Sequence, residues 1–177
     1  SQPRPTDRFV ANGDGTVTDA QTGLIWADRD NGKNISWKDA GMYCTTMGSD
    51  WQLPTVTQLQ GLLDASRELK QSVDRYTCHV SPLIHLSSRW HWSSEEATNG
   101  ASEAWCVGLD DGSRYLLPVA HANGRRVLCV RRFRTLLAAP ATARDGSARA
   151  ALVNMISYYG RVLDEDPHQT ARIIAEQ

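Results

Sequence analysis

The sequence predicts an α+β fold in which two helices flank a twisted, mainly antiparallel sheet. Apolar residues recur at helical spacing in two segments of the first half of the chain, residues 36–46 and 56–66. Residues 89–131 instead alternate apolar and polar side chains in short runs that turn residues separate, which is typical of strands. The 177 residues suffice for one domain with a sizeable core and a C-terminal appendage.

Turn residues near the beginning of the chain predict a hairpin. The Asn-Gly and Asp-Gly pairs at residues 12–15 lie between β-prone residues, and residues 22–26 have the composition of a short buried strand. Oxygen-bearing side chains also occupy positions 12, 14, 16 and 18, as in calcium loops, but the closing Glu of an EF-hand is missing. We therefore favour a tight turn over a calcium loop here.

Capping residues predict where both helices begin. Ser36 is a suitable N-cap for the first helix, and Thr55 with Gln58 forms a capping box for the second. The connection between the helices contains Trp51 and Leu53, and Leu53 precedes a proline that favours extended backbone. We expect this connection to be a rigid scaffold whose Trp51 and Leu53 side chains point into the core.

Four runs in the second half are predicted strands, at residues 89–94, 104–109, 114–117 and 126–131. Asp110 and Asp111 belong to the turn between the second and third runs. Residues 67–88 show no clean period and are expected to be irregular.

Composition and charge narrow the class of protein. Hydrophobic residues make up 41% and charged residues 22% of the chain, as in ordinary globular proteins. The net charge of −1 argues against a general nucleic-acid binder, and no apolar run is long enough to span a membrane. The sequence begins at Ser1 without an initiator Met, from which we expect a processed, exported protein.

The four cysteines are scattered and form no C-x-x-C pair: Cys44, Cys78, Cys106 and Cys129. This spacing argues against a structural zinc site and favours two disulfides in an exported protein. Three pairings are possible, and four buried free thiols in a cytosolic protein are the alternative.

The composition changes after Phe133. We predict a folded domain at residues 8–133, a linker at 134–146 and a helical tail at 147–177. Apolar residues of the tail share one stripe at helical spacing: Leu152, Ile156, Tyr159 and Leu163. An amphipathic helix must bury such a stripe, either against its own domain or against another chain.

Several short motifs occur in an order that resembles one known family. The motifs are NGDGTVTD at 12–19, TGLIW at 22–26, Trp37 with Cys44, DWQLPT at 50–55, WSS at 92–94, AW at 104–105, DGS at 111–113 and CVR at 129–131. Their order resembles the DUF1566 family, also called the Lcl C-terminal domain, over about residues 8–132.

The resemblance implies a C-type lectin-like fold that is distantly related to formylglycine-generating enzymes. It implies a secreted, periplasmic or cell-surface location in bacteria. For the best-known members it also implies adhesion to glycans, including sulfated ones, and assembly into trimers. By analogy with the lectin-like fold, a disulfide joins Cys44 and Cys129, and a second one then joins Cys78 and Cys106.

We expect a non-enzymatic binding module whose loops bind a glycan or another surface ligand. Aromatic rings stack on sugar rings, and the guanidinium fork of Arg binds sulfate or carboxylate. Trp92 and Trp105 match core positions of the family and are expected to be packing residues. The candidate ligand-binding residues are Trp90, His91, Arg114, Arg125 and Arg126.

Two alternatives compete with this expectation. The first is a protein-interaction component of a bacterial surface or secretion assembly, which docks or self-associates through residues 147–177. The second is an enzyme, but the five His residues show no metal-site spacing and no nucleophile motif occurs, so we predict no catalytic residue. No metal or cofactor is assigned. Calcium stays open, with Glu95, Glu96 and Glu103 in the region where lectin-like domains bind it.

Overall fold

The computed structural model describes residues 8–100 and 102–133. In these ranges the fold is α+β, with two short helices and mostly antiparallel strands. The first half contains β1 Phe9–Ala11, β2 Thr16–Asp19, β3 Leu24–Ala27, α1 Trp37–Met47, α2 Val56–Gly61, β4 Gln71–Val73 and β5 Tyr76–Cys78. The second half contains β6 Trp90–Glu96, β7 Glu103–Gly108, β8 Arg114–Pro118, β9 Arg125–Arg126 and β10 Val130–Arg132.

The strands form two four-stranded sheets and one separate hairpin. The first sheet has the order β1-β2-β3-β10, and the second has the order β8-β7-β6-β9. Among the described strands, β4 and β5 pair with each other and with no other strand. All pairs are antiparallel except β6 with β9, which run parallel. This arrangement confirms the predicted sheet with two helices but divides the predicted single sheet in two.

The early Asn-Gly and Asp-Gly turn forms the predicted hairpin between β1 and β2. The Asn12 amide donates to the hydroxyls of Thr16 (2.8 Å) and Thr18 (3.0 Å), and Asp14 Oδ1 accepts the Thr16 backbone N–H (3.1 Å). Because these side chains hydrogen-bond to one another, they close the turn locally, as the tight-turn interpretation predicts.

Both predicted helix caps are present. The Ser36 hydroxyl accepts the N–H of Asp39, and Thr55 with Gln58 forms the reciprocal capping box of α2. Helix α2 ends at Gly61, about one turn earlier than the sequence predicts. Next along the chain, the carboxylate of Asp64 accepts backbone N–H groups of Ser66 (3.0 Å) and Leu69 (2.8 Å). An Asp that binds backbone N–H groups in this way favours a turn over a helix.

The predicted closing strand 126–131 is divided between the two sheets. Arg125 and Arg126 pair with β6, whereas Val130–Arg132 pairs with β3. The residues between them are fully or almost fully buried, and Val127 N–H donates to the side chain of Asn31 (3.0 Å). The chain therefore crosses through the core from one sheet to the other.

One disulfide ties α1 to the residue before β10. Cys44 and Cys129 are bonded across 85 residues, with their Cα atoms 5.5 Å apart. This pairing confirms the one implied by the family resemblance. Closing a loop of this length removes conformational freedom from the unfolded chain and stabilises the fold by about 4 kcal/mol.

The second predicted disulfide is wrong, because Cys78 and Cys106 are free and buried. Cys78 lies on the β4–β5 hairpin, whereas Cys106 lies on an interior strand of the second sheet between Trp92 and Tyr115. The two cysteines therefore belong to different sheets, and each has paired neighbours within its own sheet. Burial raises the pKa of both thiols to about 12, so neither is a reactive thiolate at neutral pH.

Tryptophans anchor the core around the connection between the helices. Trp92 is fully buried and donates its indole N–H to the carbonyl of Ile35 (2.9 Å). Trp51 and Leu53 are 7% and 8% exposed, so both point inward as predicted. In residues 8–100 and 102–133, no helix has both the length and the apolar character needed to cross a membrane. The predicted linker 134–146 and tail 147–177 lie outside the described residues.

Candidate functional site

The parallel pairing of β6 with β9 brings four of the candidate binding residues together in two separate pairs. Trp90 lies beside Arg125, and His91 lies beside Arg126. Because successive side chains of a strand point to opposite faces, each pair occupies its own face of the sheet. The candidates therefore divide between two environments.

The first face carries a partly exposed group of rings and guanidinium groups, which we call the Trp90 surface. Arg125 lies 5.2 Å from the centroid of the Trp90 ring, and Arg89 lies 4.6 Å from it. Tyr115 meets Trp90 edge-on, with ring centroids 5.2 Å apart and an interplanar angle of 74°. Arg89 also lies 3.6 Å from the ring of Tyr76. Rings and cations thus alternate across this surface.

Gly108 makes room for the Trp90 ring. It pairs with Trp90 in the register of β6 and β7. A Cβ at this position would lie 3.2 Å from Trp90 Cζ3 and 2.9 Å from a carboxylate oxygen of Asp110. The absence of a side chain therefore allows Trp90 to lie close over the neighbouring strand, and any substitution would displace it.

The turn after β7 holds Arg89 in place. Asp110 accepts a hydrogen bond from Arg89 Nη1 at 2.7 Å, and the backbone N–H of Leu109 donates to the Arg89 carbonyl at 2.8 Å. Both side chains of the ion pair are largely buried, at 24% and 12% exposure. Arg89 is thereby fixed between the Tyr76 and Trp90 rings, and its charge is compensated.

Two tyrosines leave much of their ring in solvent. Tyr76 is 43% exposed and Tyr115 is 53% exposed. Exposed aromatic rings beside guanidinium groups are typical of surfaces that bind sugars or other proteins. Open depressions lie elsewhere, one of about 520 Å³ beside Thr22 and Thr57 and one of about 630 Å³ beside Tyr43. The solvent contact of the Trp90 surface comes chiefly from the exposed Tyr76 and Tyr115 rings.

The opposite face carries a hydrogen-bond network around the buried Asp30 carboxylate, which we call the Asp30 network. His91 Nε2 lies 3.2 Å from Asp30 Oδ2, and both side chains are almost completely buried. Ser87 donates its backbone N–H and its hydroxyl to the two Asp30 oxygens, each at 2.7 Å. Arg126 donates to Ser87 Oγ (2.8 Å) and to Asn34 Oδ1 (2.7 Å). The network joins the loop before α1 to strands β6 and β9.

The Asp30 carboxylate stays ionised in this buried position. Burial alone would raise its pKa, but the hydrogen bonds and electrostatic attraction of His91 and the hydrogen bonds of Ser87 lower the pKa to about 2. A buried carboxylate with several donors is a stable structural element.

His91 is a buried structural residue, and its prediction as a ligand-binding residue is corrected. Its side chain is 0% exposed, so no ligand can contact it in this structure. Asp30, Ser87 and His91 also lack the hydrogen-bond arrangement of a catalytic triad, in which the imidazole lies between the hydroxyl and the carboxylate. The Ser87 hydroxyl donates to Asp30, and His91 Nδ1 has no hydrogen-bond partner among the described residues.

Arg114 lies apart from the Trp90 surface. Its guanidinium is 4.7 Å from the ring of Trp105. In the register, Arg114 pairs with Val107, which in turn pairs with His91. Paired residues share a face, so Arg114 lies on the side of the sheet opposite Trp90. The structure thus brings Trp90 and Arg125 together and separates them from Arg114, His91 and Arg126.

Of the three carboxylates considered for calcium, Glu95 has a clear structural role. Glu95 accepts the N–H of Val56 (2.9 Å) at the beginning of α2. Asp110 and Asp111 are the predicted turn residues, and there Asp110 pairs with Arg89 and Asp111 accepts the Ser113 N–H (2.9 Å). In residues 8–100 and 102–133, no group of three or more His, Cys, Asp or Glu side chains is arranged to hold a metal ion.

Sequence reasoning missed Tyr76, Arg89 and Tyr115. Arg89 directly precedes Trp90, but neighbouring residues of a strand are expected on opposite faces, so adjacency gave no reason to place them together. Tyr76 lies in a segment without periodicity, and only the fold brings it to the Trp90 surface. Tyr115 lies in a predicted strand, but alternation along that strand does not show whether Tyr115 shares a face with Trp90.

One protein family and two solved structures are similar to this chain. The family model for the Lcl C-terminal domain matches residues 15–131. No curated protein matches the chain. The crystal structure of botrocetin is similar at 12% sequence identity, with a TM-score of 0.39, and the match covers 74% of this chain and 99% of botrocetin. A complex of botrocetin with a mutant A1 domain of von Willebrand factor gives the same values.

Proposed function

The chain belongs to the Lcl C-terminal domain family, and on this premise we propose that it is a non-enzymatic binding module that recognises glycans. The Trp90 surface of a lectin-like scaffold is the proposed binding site. The observation that carries the proposal is the exposure of two tyrosine rings beside Trp90 and two guanidinium groups.

The chemistry of the Trp90 surface suits a sugar ring. The faces of Trp and Tyr rings pack on the C–H groups of pyranoses, and they lose little conformational entropy because their side chains are stiff. The Trp90 ring is held by Tyr115 and Arg89 before any ligand arrives. Preorganisation of this kind lowers the entropic cost of binding.

The polar groups of the interior support a role without catalysis. The buried Asp30 carboxylate and His91 imidazole bond to each other and to Ser87, and these contacts connect segments of the fold. The two free thiols are buried and protonated at neutral pH. Recognition is therefore assigned to the surface, where Tyr76 and Tyr115 meet solvent.

The proposed setting is outside the cytoplasm, as a secreted, periplasmic or surface-bound protein with a role in adhesion. The Cys44–Cys129 disulfide supports this setting, because disulfides form and persist in oxidising compartments. Docking through residues 147–177, which lie outside the described part of the chain, remains the sequence-based alternative.

The test is glycan binding by the full chain on an array of neutral, carboxylated and sulfated glycans, with and without calcium. Tyr115→Ala removes an exposed ring, so we expect it to weaken binding about tenfold while the protein stays folded. Trp90→Ala should abolish binding. Met42→Ala is the matched control, because Met42 lies on α1 and is 55% exposed, close to the 53% of Tyr115.

Two results would contradict the proposal. The first is glycan binding that Trp90→Ala and Tyr115→Ala leave unchanged, which would place the site elsewhere. The second is an absence of glycan binding together with capture of a defined protein that requires residues 147–177. That second result would favour the docking alternative instead.

A further inference from the structure

We propose that the edge of strand β8 pairs with β8 of a second copy of this chain and forms an antiparallel, two-fold symmetric dimer. In the described part of the chain, β8 is an outer strand of the order β8-β7-β6-β9. None of its five residues, Arg114–Pro118, is buried. An unpaired strand edge presents backbone N–H and C=O groups to which another strand can bond.

Hydrogen bonds at both ends of the β7–β8 ladder show which residues of β8 bond to β7. The N–H of Gly108 donates to the carbonyl of Ser113 (2.8 Å), and the N–H of Val119 donates to the carbonyl of Ser102 (2.9 Å). The register between these two bonds is continuous, and hydrogen-bonded pairs alternate with non-bonded pairs in an antiparallel ladder. Every second residue from Ser113 therefore bonds to β7, and the residues between them direct their backbone groups outward.

Both ends of the outward edge are closed. Three residues of β8 direct their backbone groups outward: Arg114, Leu116 and Pro118. Pro118 has no N–H, and its carbonyl accepts the N–H of His121 (2.8 Å). On the other side of β8, the carbonyl of Gly112 accepts the side-chain amide of Gln60 (2.8 Å). Between these ends, the other two outward residues have no backbone hydrogen-bond partner among the described residues.

The free groups of Arg114 and Leu116 are complementary to themselves in one antiparallel register. When Arg114 pairs with Leu116 of the second copy, the two free N–H groups of each copy donate to the two free carbonyls of the other, and none is left over. If Leu116 paired with itself, Arg114 would face Pro118, which has no N–H and whose carbonyl is used. A second copy also has the same closed ends, so its chain turns away where this edge stops.

The side chains suit the same register. Tyr115 faces its own copy in the non-hydrogen-bonded pair, where side chains are closest and aromatic pairs are favourable. Arg114 faces the apolar Leu116, so the two equal charges do not lie directly opposite each other, and each stays over Trp105 of its own chain at 4.7 Å. Paired residues share a face, so the dimer presents two Trp90 surfaces on one side of a continuous sheet.

The first experiment is a disulfide trap in the full chain under mild oxidation by glutathione. Tyr115→Cys places two thiols at the two-fold axis, where paired Cα atoms are about 4.5 Å apart and within disulfide range. We expect covalent dimers to form about tenfold faster than with Met42→Cys, because Met42 is 55% exposed and Tyr115 is 53% exposed, but only Tyr115 is held beside its copy. Arg114→Cys should dimerise slowly, since its two copies lie about 8 Å apart in this register. The native Cys78 and Cys106 are buried and should not react.

The second experiment is sedimentation velocity of the full chain over a concentration series. Leu116→Pro removes an outward N–H that β7 does not use, and edge strands tolerate proline at such positions. This variant should abolish the dimer. Leu116→Ala is the matched control, because it also loses the apolar side chain but keeps the N–H, and it should weaken the dimer less. Circular dichroism checks that both variants are folded.

Every other outcome overturns the proposal. Equal trapping of Tyr115→Cys and Met42→Cys would indicate random collisions, and faster trapping of Arg114→Cys than of Tyr115→Cys would exclude the register. A wild-type chain that stays monomeric at every concentration would exclude the dimer. An oligomer that a folded Leu116→Pro variant leaves intact would favour association through residues 147–177 instead. If Leu116→Pro does not fold, the disulfide trap decides alone.

Discussion

The two faces of strands β6 and β9 show how neighbouring residues acquire opposite roles. Trp90 and Arg125 lie on a partly exposed face, where rings and cations alternate. One residue further along each strand, His91 and Arg126 belong to the buried or partly buried Asp30 network. Each face carries one arginine of β9, and the different surroundings of Arg125 and Arg126 separate their roles.

This comparison separates binding from stability. Hydrogen bonds of the Asp30 network hold the loop before α1 against the sheet. The Trp90 surface instead leaves two tyrosine rings in solvent and one guanidinium without an ion-pair partner among the described residues. Substitutions on one face should therefore change stability, and substitutions on the other should change ligand binding.

The largest expected effect is the loss of the Asp30 carboxylate. Asp30→Ala leaves the buried His91 and the Ser87 N–H without their acceptor, which should lower the free energy of unfolding by about 3–5 kcal/mol. Urea denaturation measures this change. Asp28→Ala is the control, because Asp28 pairs with Arg29 at the surface and its loss should cost less than about 1 kcal/mol. Equal losses for both variants would remove the distinction between the two environments.

Acid should weaken the Asp30 network next. The pKa of Asp30 is about 2 in the folded protein, below its ordinary value, so the carboxylate stabilises the fold above about pH 4. This contribution should disappear as the pH falls from about 4 to below 2, with a total loss of about 2–3 kcal/mol.

Urea denaturation between pH 5 and pH 2 measures the effect, with Asp30→Asn as the reference. The free-energy difference between wild type and Asp30→Asn should shrink as the pH falls, because the variant has no carboxyl group to protonate. A difference that stays constant across this range would mean that the Asp30 pKa is not lowered by folding.

The smallest expected change in stability comes from replacing the arginines of β9, and it contrasts the two faces directly. Arg126→Ala removes hydrogen bonds to Ser87 and Asn34 and should lower the free energy of unfolding by about 1 kcal/mol, with no change in glycan affinity. Arg125→Ala should do the reverse, with a lower glycan affinity and little change in stability. Thermal unfolding and glycan binding are measured on both variants. If both arginines affected the same property, the assignment of the two faces would be incorrect.

Local sequence was a reliable guide wherever neighbouring residues determine the structure. The turn at residues 12–15, the Ser36 cap and the capping box of Thr55 with Gln58 were all predictable, because each depends on contacts within a few residues. The family resemblance also led to the correct Cys44–Cys129 disulfide. The same local rules extended α2 too far, since they gave no weight to the competing turn at Asp64.

The candidate site was predicted only in part. Residue chemistry singled out Trp90 and Arg125, and the structure places them together. It also suggested His91, which is buried, and overlooked Tyr76, which reaches the surface from a separate hairpin. A pattern of alternating side chains shows that two faces exist, but it does not show which face another element covers.

The sequence by itself determined the α+β class, the turns, the helix beginnings and the types of residue available for recognition, because these follow from backbone preferences and short-range hydrogen bonds. Only the tertiary structure decided the faces, the division of residues 125–132 between two sheets and the free state of Cys78 and Cys106. The physical reason is strand pairing between distant segments. The parallel register of β6 with β9 joins residues that are 35 positions apart, and a shift by one residue would exchange the two faces.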